Sequence, residues 1–285
     1  MSPNGMSLKD EKMNPFGPIR TLAFFLVAAA LLLLLGCGVF DSSEGELRPL
    51  EGNIVFRFQE GYPHYDRGSE PGIVLSMATE KGYPCCNWSI RCQVTVQNQE
   101  IFILVSGIHV PAGCYTAFGP ATARKFLGLS AGEYSVQFAY RNLTDSYSLT
   151  VTDSSVEITG HTSRFTKPEY KLLWRYPSNS FAYLCGTTAE TAWICKDFAD
   201  TLLGELNLEE FQFPECGEIP YPCSSAGHHY DTPARYFLYQ KEEHFDKAGE
   251  ILRSYTHQVI TQHIGTSISL IGWNNKRYLS WLLDD

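Results

Sequence analysis

Residues 228–231, His228-His229-Tyr230-Asp231, place two imidazoles and a carboxylate within four positions. That donor set suits zinc or another transition metal, so His228, His229 and Asp231 are the candidate metal ligands. Their spacing matches no established ligand motif, and a polar loop with surface histidines is the reading the sequence favours. His257 and His263 are six apart and would not share a helical face. Gly128-Leu129-Ser130-Ala131-Gly132 fits G-x-S-x-G, the turn that exposes a nucleophilic serine between a strand and a helix. An alternating, strand-like segment follows from Glu133 instead of a helix, so Ser130 reads as a turn residue. Asp197 and Asp200 sit three apart and read as solvated helix charges. Glu209-Glu210 and Asp284-Asp285 are adjacent and point apart in extended chain, which suits acid–base work poorly. Aromatic residues make up 13% of the chain, enough that exposed rings could stack on a sugar or anchor a partner. Trp273 and Tyr278 are the candidate ligand-binding pair, because both are expected on the outward face of a C-terminal hairpin.

Residues 21–36 are apolar without a polar face and follow Arg20. The run is shorter than the roughly 20 residues needed to cross a bilayer, and a cationic start before it is the pattern of a secretory signal. Met13 offers a second start that would leave Arg20 as the only charge of a compact leader. Leu34-Leu35-Gly36-Cys37 resembles the lipobox of bacterial lipoproteins. The resemblance implies cleavage before Cys37, fatty acylation of its sulfur and new N-terminus, and attachment to a membrane through lipid. Two or more chains hold firmly where one holds marginally. Gly38 stands where an inner-membrane retention signal would place Asp, so the expected location is the outer membrane. Beyond this covalent lipid, no cofactor is expected.

With Cys37 assigned to lipid, eight of the nine cysteines remain. They fall into two groups of four: Cys85, Cys86, Cys92 and Cys114, then Cys185, Cys195, Cys216 and Cys223. An exported chain meets an oxidising compartment, so disulfides within each group are expected, with connectivity open. No C-x-x-C spacing occurs, which removes thioredoxin-like, zinc-ribbon and c-type haem readings. A net charge of −9 with no basic run argues against a nucleic-acid partner.

The elements that would carry these residues divide the chain into four parts. Residues 1–36 form the signal peptide and 37–48 a polar tether. Residues 49–160 carry strand candidates at Asn53–Phe58, Gly72–Ala78, Arg91–Val96 and Ile101–Ser106. Two more strands, through Tyr134–Tyr140 and Tyr147–Val151, flank a turn at Asn142-Leu143-Thr144-Asp145. Short strands without helical period predict a β-sandwich. It resembles an immunoglobulin-like domain, though without the Cys-Trp-Cys spacing of true immunoglobulins.

Residues 161–285 change character. Lys171–Tyr176 and Phe181–Cys185 read as strands around a turn at Pro177-Ser178-Asn179. Thr187 and Glu190 form a capping-box pattern ahead of a helix whose apolar face is Trp193, Ile194, Phe198, Thr201 and Leu202. Residues 214–233 read as loop, and 235–241 as a further strand. Phe245, Ala248, Leu252, Tyr255 and Val259 mark a second helix. The closing hairpin, with Asn274-Asn275 as a two-residue turn, pairs Ile271 with Tyr278 and Leu270 with Leu279. Its core face is then Ile268, Leu270, Leu279, Trp281 and Leu283. The fold class expected is α+β overall: an immunoglobulin-like β-sandwich followed by a smaller α+β domain with an antiparallel sheet and two helices. The function expected is binding or scaffolding at the cell envelope, with a protein or glycan partner, ahead of catalysis. The rival is a hydrolase of envelope or extracellular polymers with its site near the 214–233 loop.

Overall fold

A computed structural model describes residues 45–63, 69–224 and 230–282. The expected signal peptide, Cys37, His228 and His229 lie outside those residues. The described residues are mostly β, 49% strand against 15% helix, so the α+β class is corrected. The two-sheet immunoglobulin-like sandwich is corrected as well.

Eleven strands form one mixed sheet in its place. They are β1 (Glu46–Arg48), β2 (Ile54–Gly61), β3 (Gly72–Tyr83), β4 (Ser89–Gln97), β5 (Glu100–Val110) and β6 (Gly119–Phe126). The set continues with β7 (Gly132–Tyr140), β8 (Leu143–Val151), β9 (Ser155–Thr162), β10 (Thr166–Pro168) and β11 (Leu172–Trp174). Their order is β10-β2-β3-β6-β4-β5-β7-β8-β9-β11, with β1 paired to β5. The β5–β7 and β10–β2 pairs are parallel.

The sheet curls into a half-barrel and packs its concave face against itself. Phe56 on β2 lies 4.6 Å from Phe138 on β7 and 5.0 Å from Tyr147 on β8, centroid to centroid. Five strands separate β2 from β8 in the sheet order, so only curvature brings these rings together. This is also why the sequence pointed to a sandwich. Period-two alternation, clear along β5, records one buried face. It does not record whether the opposite wall is a second sheet or the same sheet bent round.

The turn expected at 142–145 is shorter. Tyr140 pairs directly with Leu143, leaving Arg141 and Asn142 as the loop, with Arg141 at φ 53°. Asp145 is instead fully buried within β8. Its carboxylate accepts hydrogen bonds from the backbone N–H groups of Arg164, Phe165 and Thr166 and from the Thr166 hydroxyl, at 2.6–3.0 Å. A side chain suited to turns is here a fully satisfied buried acceptor that fastens the β9–β10 connection.

The remaining strands are β12 (Ser180–Thr187), β13 (Leu208–Phe211), β14 (Tyr230–Asp231), β15 (Arg235–Tyr239), β16 (Ser267–Gly272) and β17 (Arg277–Leu279). They form an antiparallel sheet in the order β13-β15-β12-β16-β17, with β14 beside β12. Two helices, α1 (Trp193–Glu205) and α2 (Glu242–Gln258), cover one face. Phe181, Tyr183 and Cys185 meet Ile194, Phe198, Phe245 and Leu252 there. The α2 core face includes the spaced residues Phe245, Ala248, Leu252 and Tyr255. On α1 the buried stripe is Ile194, Cys195, Phe198, Ala199 and Leu202, while Trp193 is exposed. The capping box does not form. Thr187 ends β12, the chain turns through Thr188–Thr191, and α1 starts only at Trp193.

Two pairings differ from the sequence reading. β11 joins β9 of the large sheet whereas β12 is central in the small one, so Pro177-Ser178-Asn179 is a crossing between sheets. In the last hairpin Leu270 faces Tyr278 and Ser269 faces Leu279. The loop is three residues, Trp273-Asn274-Asn275, closed by the Gly272 N–H to the Lys276 carbonyl at 2.8 Å with Asn275 at φ 64°. Adding one residue to the turn moves every partner by one and exchanges the faces. Tyr278 therefore turns toward α2, and Trp281 is exposed.

The two sheets are joined through β2. Glu60, whose side chain is 1% exposed, accepts the Arg175 Nε–H at 2.7 Å and the Tyr176 N–H at 2.6 Å. The Tyr62 hydroxyl donates to the Trp273 carbonyl at 2.6 Å. The described residues form one compact unit.

Candidate functional site

Where β13 and β15 run out, the small sheet leaves a groove of about 550 Å³. Phe211, Phe213 and Tyr236 line one side and Arg235, Glu210 and Tyr183 the other. The two sides follow from strand alternation. Phe211 pairs with Tyr236 and Glu210 with Phe237, so neighbours in sequence face opposite sides of the sheet edge.

The aromatic side is ordered by ring contacts. Phe213 sits 5.3 Å from Phe211 and 5.1 Å from Tyr236, and Tyr221 stacks on Tyr236 at 5.8 Å. Phe211 and Phe213 stay half-buried, leaving ring surface open. The polar side is a fork. Arg235 Nε and Nη2 donate to the two Glu210 oxygens at 2.8 and 2.6 Å, and the guanidinium lies 5.1 Å over the Phe237 ring. Hydrogen bonding from Arg235 holds the Glu210 carboxyl below its ordinary range. Burial pushes the Tyr221 and Tyr236 phenols up, so both remain neutral hydroxyls at working pH. Flat rings next to a planar charge pair can stack on a sugar or peptide face and hydrogen-bond its edge.

No protein family, curated protein or solved structure matches this chain. The site's meaning therefore rests on its own chemistry.

The residues singled out in sequence fall elsewhere. Trp273 donates its indole N–H to the Tyr239 hydroxyl at 3.1 Å and packs between the two cores of the small sheet. Tyr278 donates to Asp246 Oδ1 at 2.7 Å, stacks edge-on to Phe245, and covers Gly249, where a Cβ would collide with its ring. Both polar tips have internal partners. Asp231 lies in β14, its backbone paired with Gly186. Among the described residues no three His, Cys, Asp or Glu side chains gather as a metal site. Ser130 is an exposed loop residue between two strands, its carbonyl accepting from the Tyr134 hydroxyl at 2.9 Å. Asp197 accepts from the Tyr255 hydroxyl at 2.7 Å, and Asp200 pairs with Lys196.

Two disulfides form, Cys85–Cys114 in the large sheet and Cys185–Cys195 from β12 to α1. Cys86, Cys92, Cys216 and Cys223 are free thiols. Among the described residues no helix is long and apolar enough to cross a membrane. Sequence reasoning missed Phe211, Phe213 and Arg235 as a site. The available signal was Glu210-Phe211-Gln212-Phe213, where aromatic and polar residues alternate at a sheet edge.

Proposed function

We propose that this chain is an exported, lipid-anchored protein of the bacterial cell envelope that binds glycan at the Phe211–Phe213–Tyr236 groove. The address rests on Leu34-Leu35-Gly36-Cys37 and its resemblance to a lipobox. Two disulfides fit the oxidising compartment that export would give. The observation that carries the binding reading is the open aromatic surface at a sheet edge, with a bidentate Arg235–Glu210 pair lining the same groove from the sheet's other face. Sugars present one apolar and several hydroxyl faces, and the groove offers a match to both. The carboxylate lining the groove is tied up and ionised, which makes it a poor general acid and favours binding over hydrolysis.

The test uses the full-length chain in detergent, titrated calorimetrically with N-acetylglucosamine oligomers and other envelope glycan fragments. Phe213→Ala is expected to weaken binding about tenfold, equivalent to about 1.4 kcal/mol. Unchanged affinity in Phe213→Ala, or no binding across the fragment set, overturns the glycan reading. The intact mass of membrane-extracted protein tests the address separately: cleavage before Cys37 with added acyl mass is expected.

A further inference from the structure

The chain enters the folded body at one particular corner. Glu46 pairs with Val110, the last residue of β5. Gly45 lies flat on that residue, and a Cβ there would collide with the Val110 carbonyl, so only glycine lets the incoming chain pass so close. The next residue after Val110 begins the 111–118 loop, which leads to β6. The entry point and this loop are thus immediate neighbours.

The loop is held in place and carries exposed aromatics. Cys85–Cys114 ties it to the β3–β4 connection. Asn87 brackets it, donating to the Gly113 carbonyl at 2.7 Å and accepting from the Tyr115 N–H at 3.2 Å. Phe118 leans on Gly82, where a Cβ would collide with its ring. With these constraints in place, Tyr115 is 70% and Phe118 79% exposed. A water-soluble body gains nothing by fixing two rings in solvent, whereas rings with one wet and one apolar side suit the headgroup level of a bilayer.

Chain length selects the occupant. Seven residues separate Cys37 from Gly45, eight chain steps that at full extension reach about 28 Å and no further. Building on the lipid-anchor reading, we infer that the 111–118 loop is a second membrane contact, with Tyr115 and Phe118 resting in the headgroup region of the bilayer that holds Cys37. The body then has two points of attachment. One is covalent and the other non-covalent, and together they would turn the entry corner toward the lipid.

Phe126 provides an internal comparison. It is also an exposed Phe leaning on a glycine, Gly72, but it stands at the other end of β6. Seven residue steps of strand put it about 23 Å from Gly119. A photo-crosslinking p-benzoylphenylalanine is placed at 118 or at 126 in the full-length chain. Each protein is reconstituted in phosphatidylethanolamine–phosphatidylglycerol vesicles, irradiated and analysed by mass. At least fivefold more lipid adduct at 118 than at 126 is expected. Equal yields, or a protein–protein adduct at 118 showing a second copy on the loop, overturn the inference. The same spectra report acyl chains on Cys37. With acylation present and no preference for 118, the loop contact alone fails; with acylation absent, the anchor reading and the loop contact fail together.

Discussion

The large and small sheets solve the same problem by different means. A sheet with an apolar face must cover it. The large sheet covers its own by curling, so its strands keep one wet face, and β5 alternates exposed and buried residues along most of its length. The small sheet is covered on both sides, by α1 and α2 on one and by Phe213, Ile219 and Tyr221 from the chain after β13 on the other. Its central strand β12 is therefore buried at all eight positions. Only a sheet covered from both sides by separate pieces has a seam between cover and sheet, and the groove lies along that seam.

The strongest way to break this comparison is to open the curl. Phe56→Ala removes the ring shared by β2, β7 and β8, and is expected to cost about 4 kcal/mol. Urea unfolding should show the loss, and a change below 1 kcal/mol, on the order of one buried methylene, would mean that the sheet does not close on itself. Next comes the joint. Glu60→Ala leaves Arg175 and the Tyr176 N–H without their carboxylate, at about 3 kcal/mol. The two sheets should then unfold as separate transitions in calorimetry; a single transition of unchanged midpoint argues that Glu60 is not what couples them.

How much of this was legible varies with the physics. The α2 face could be read because Phe245, Ala248, Leu252 and Tyr255 recur at helical spacing and an amphipathic helix needs no distant information. β7 and β8 could be read for the same reason, through alternation. What could not be read depends on residues far apart in sequence. The partner of Phe56 is Tyr147, and nothing local says that five strands will bend to bring them together. The hairpin failed by a single residue, since Asn274-Asn275 fits a two-residue loop on its own terms and the three-residue loop is fixed by Trp273 bonding to Ser180. The groove went unseen because Phe211 and Arg235 belong to strands that meet only in the fold.

Smaller perturbations sharpen the contrast within the layered half. Cys185→Ser with Cys195→Ser cuts the tie between β12 and α1 and should lower stability by about 2 kcal/mol. Hydrogen exchange should rise in α1 and leave β5 unaffected; equal effects in both would remove the distinction between covered and curled sheets. The smallest effect concerns Asp246. Burial pushes its carboxyl up, but hydrogen bonds from Lys276 and Tyr278 outweigh this and hold it below its ordinary value. A depressed carboxyl stabilises the fold above its unfolded value, and the contribution is lost as pH falls through the lower folded value. Thermal melts from about pH 6 down to about pH 3 should therefore converge for wild type and Tyr278→Phe, which differ by about 1 kcal/mol at the upper end. A gap that persists in acid would assign the Tyr278 hydroxyl another role.

Both borders of the large sheet end in three-residue strands, β10 and β11, and Pro168 removes one N–H from the first. The outer strands of the small sheet, β13 and β17, are four and three residues long. An unpaired margin is a template on which a neighbouring polypeptide can add, and its danger grows with length. Proteins confined to a surface meet copies of themselves far more often than proteins free in solution. Under the lipid anchoring proposed above, copies sharing a surface would meet often, and such short outer strands give a neighbouring copy little to pair with.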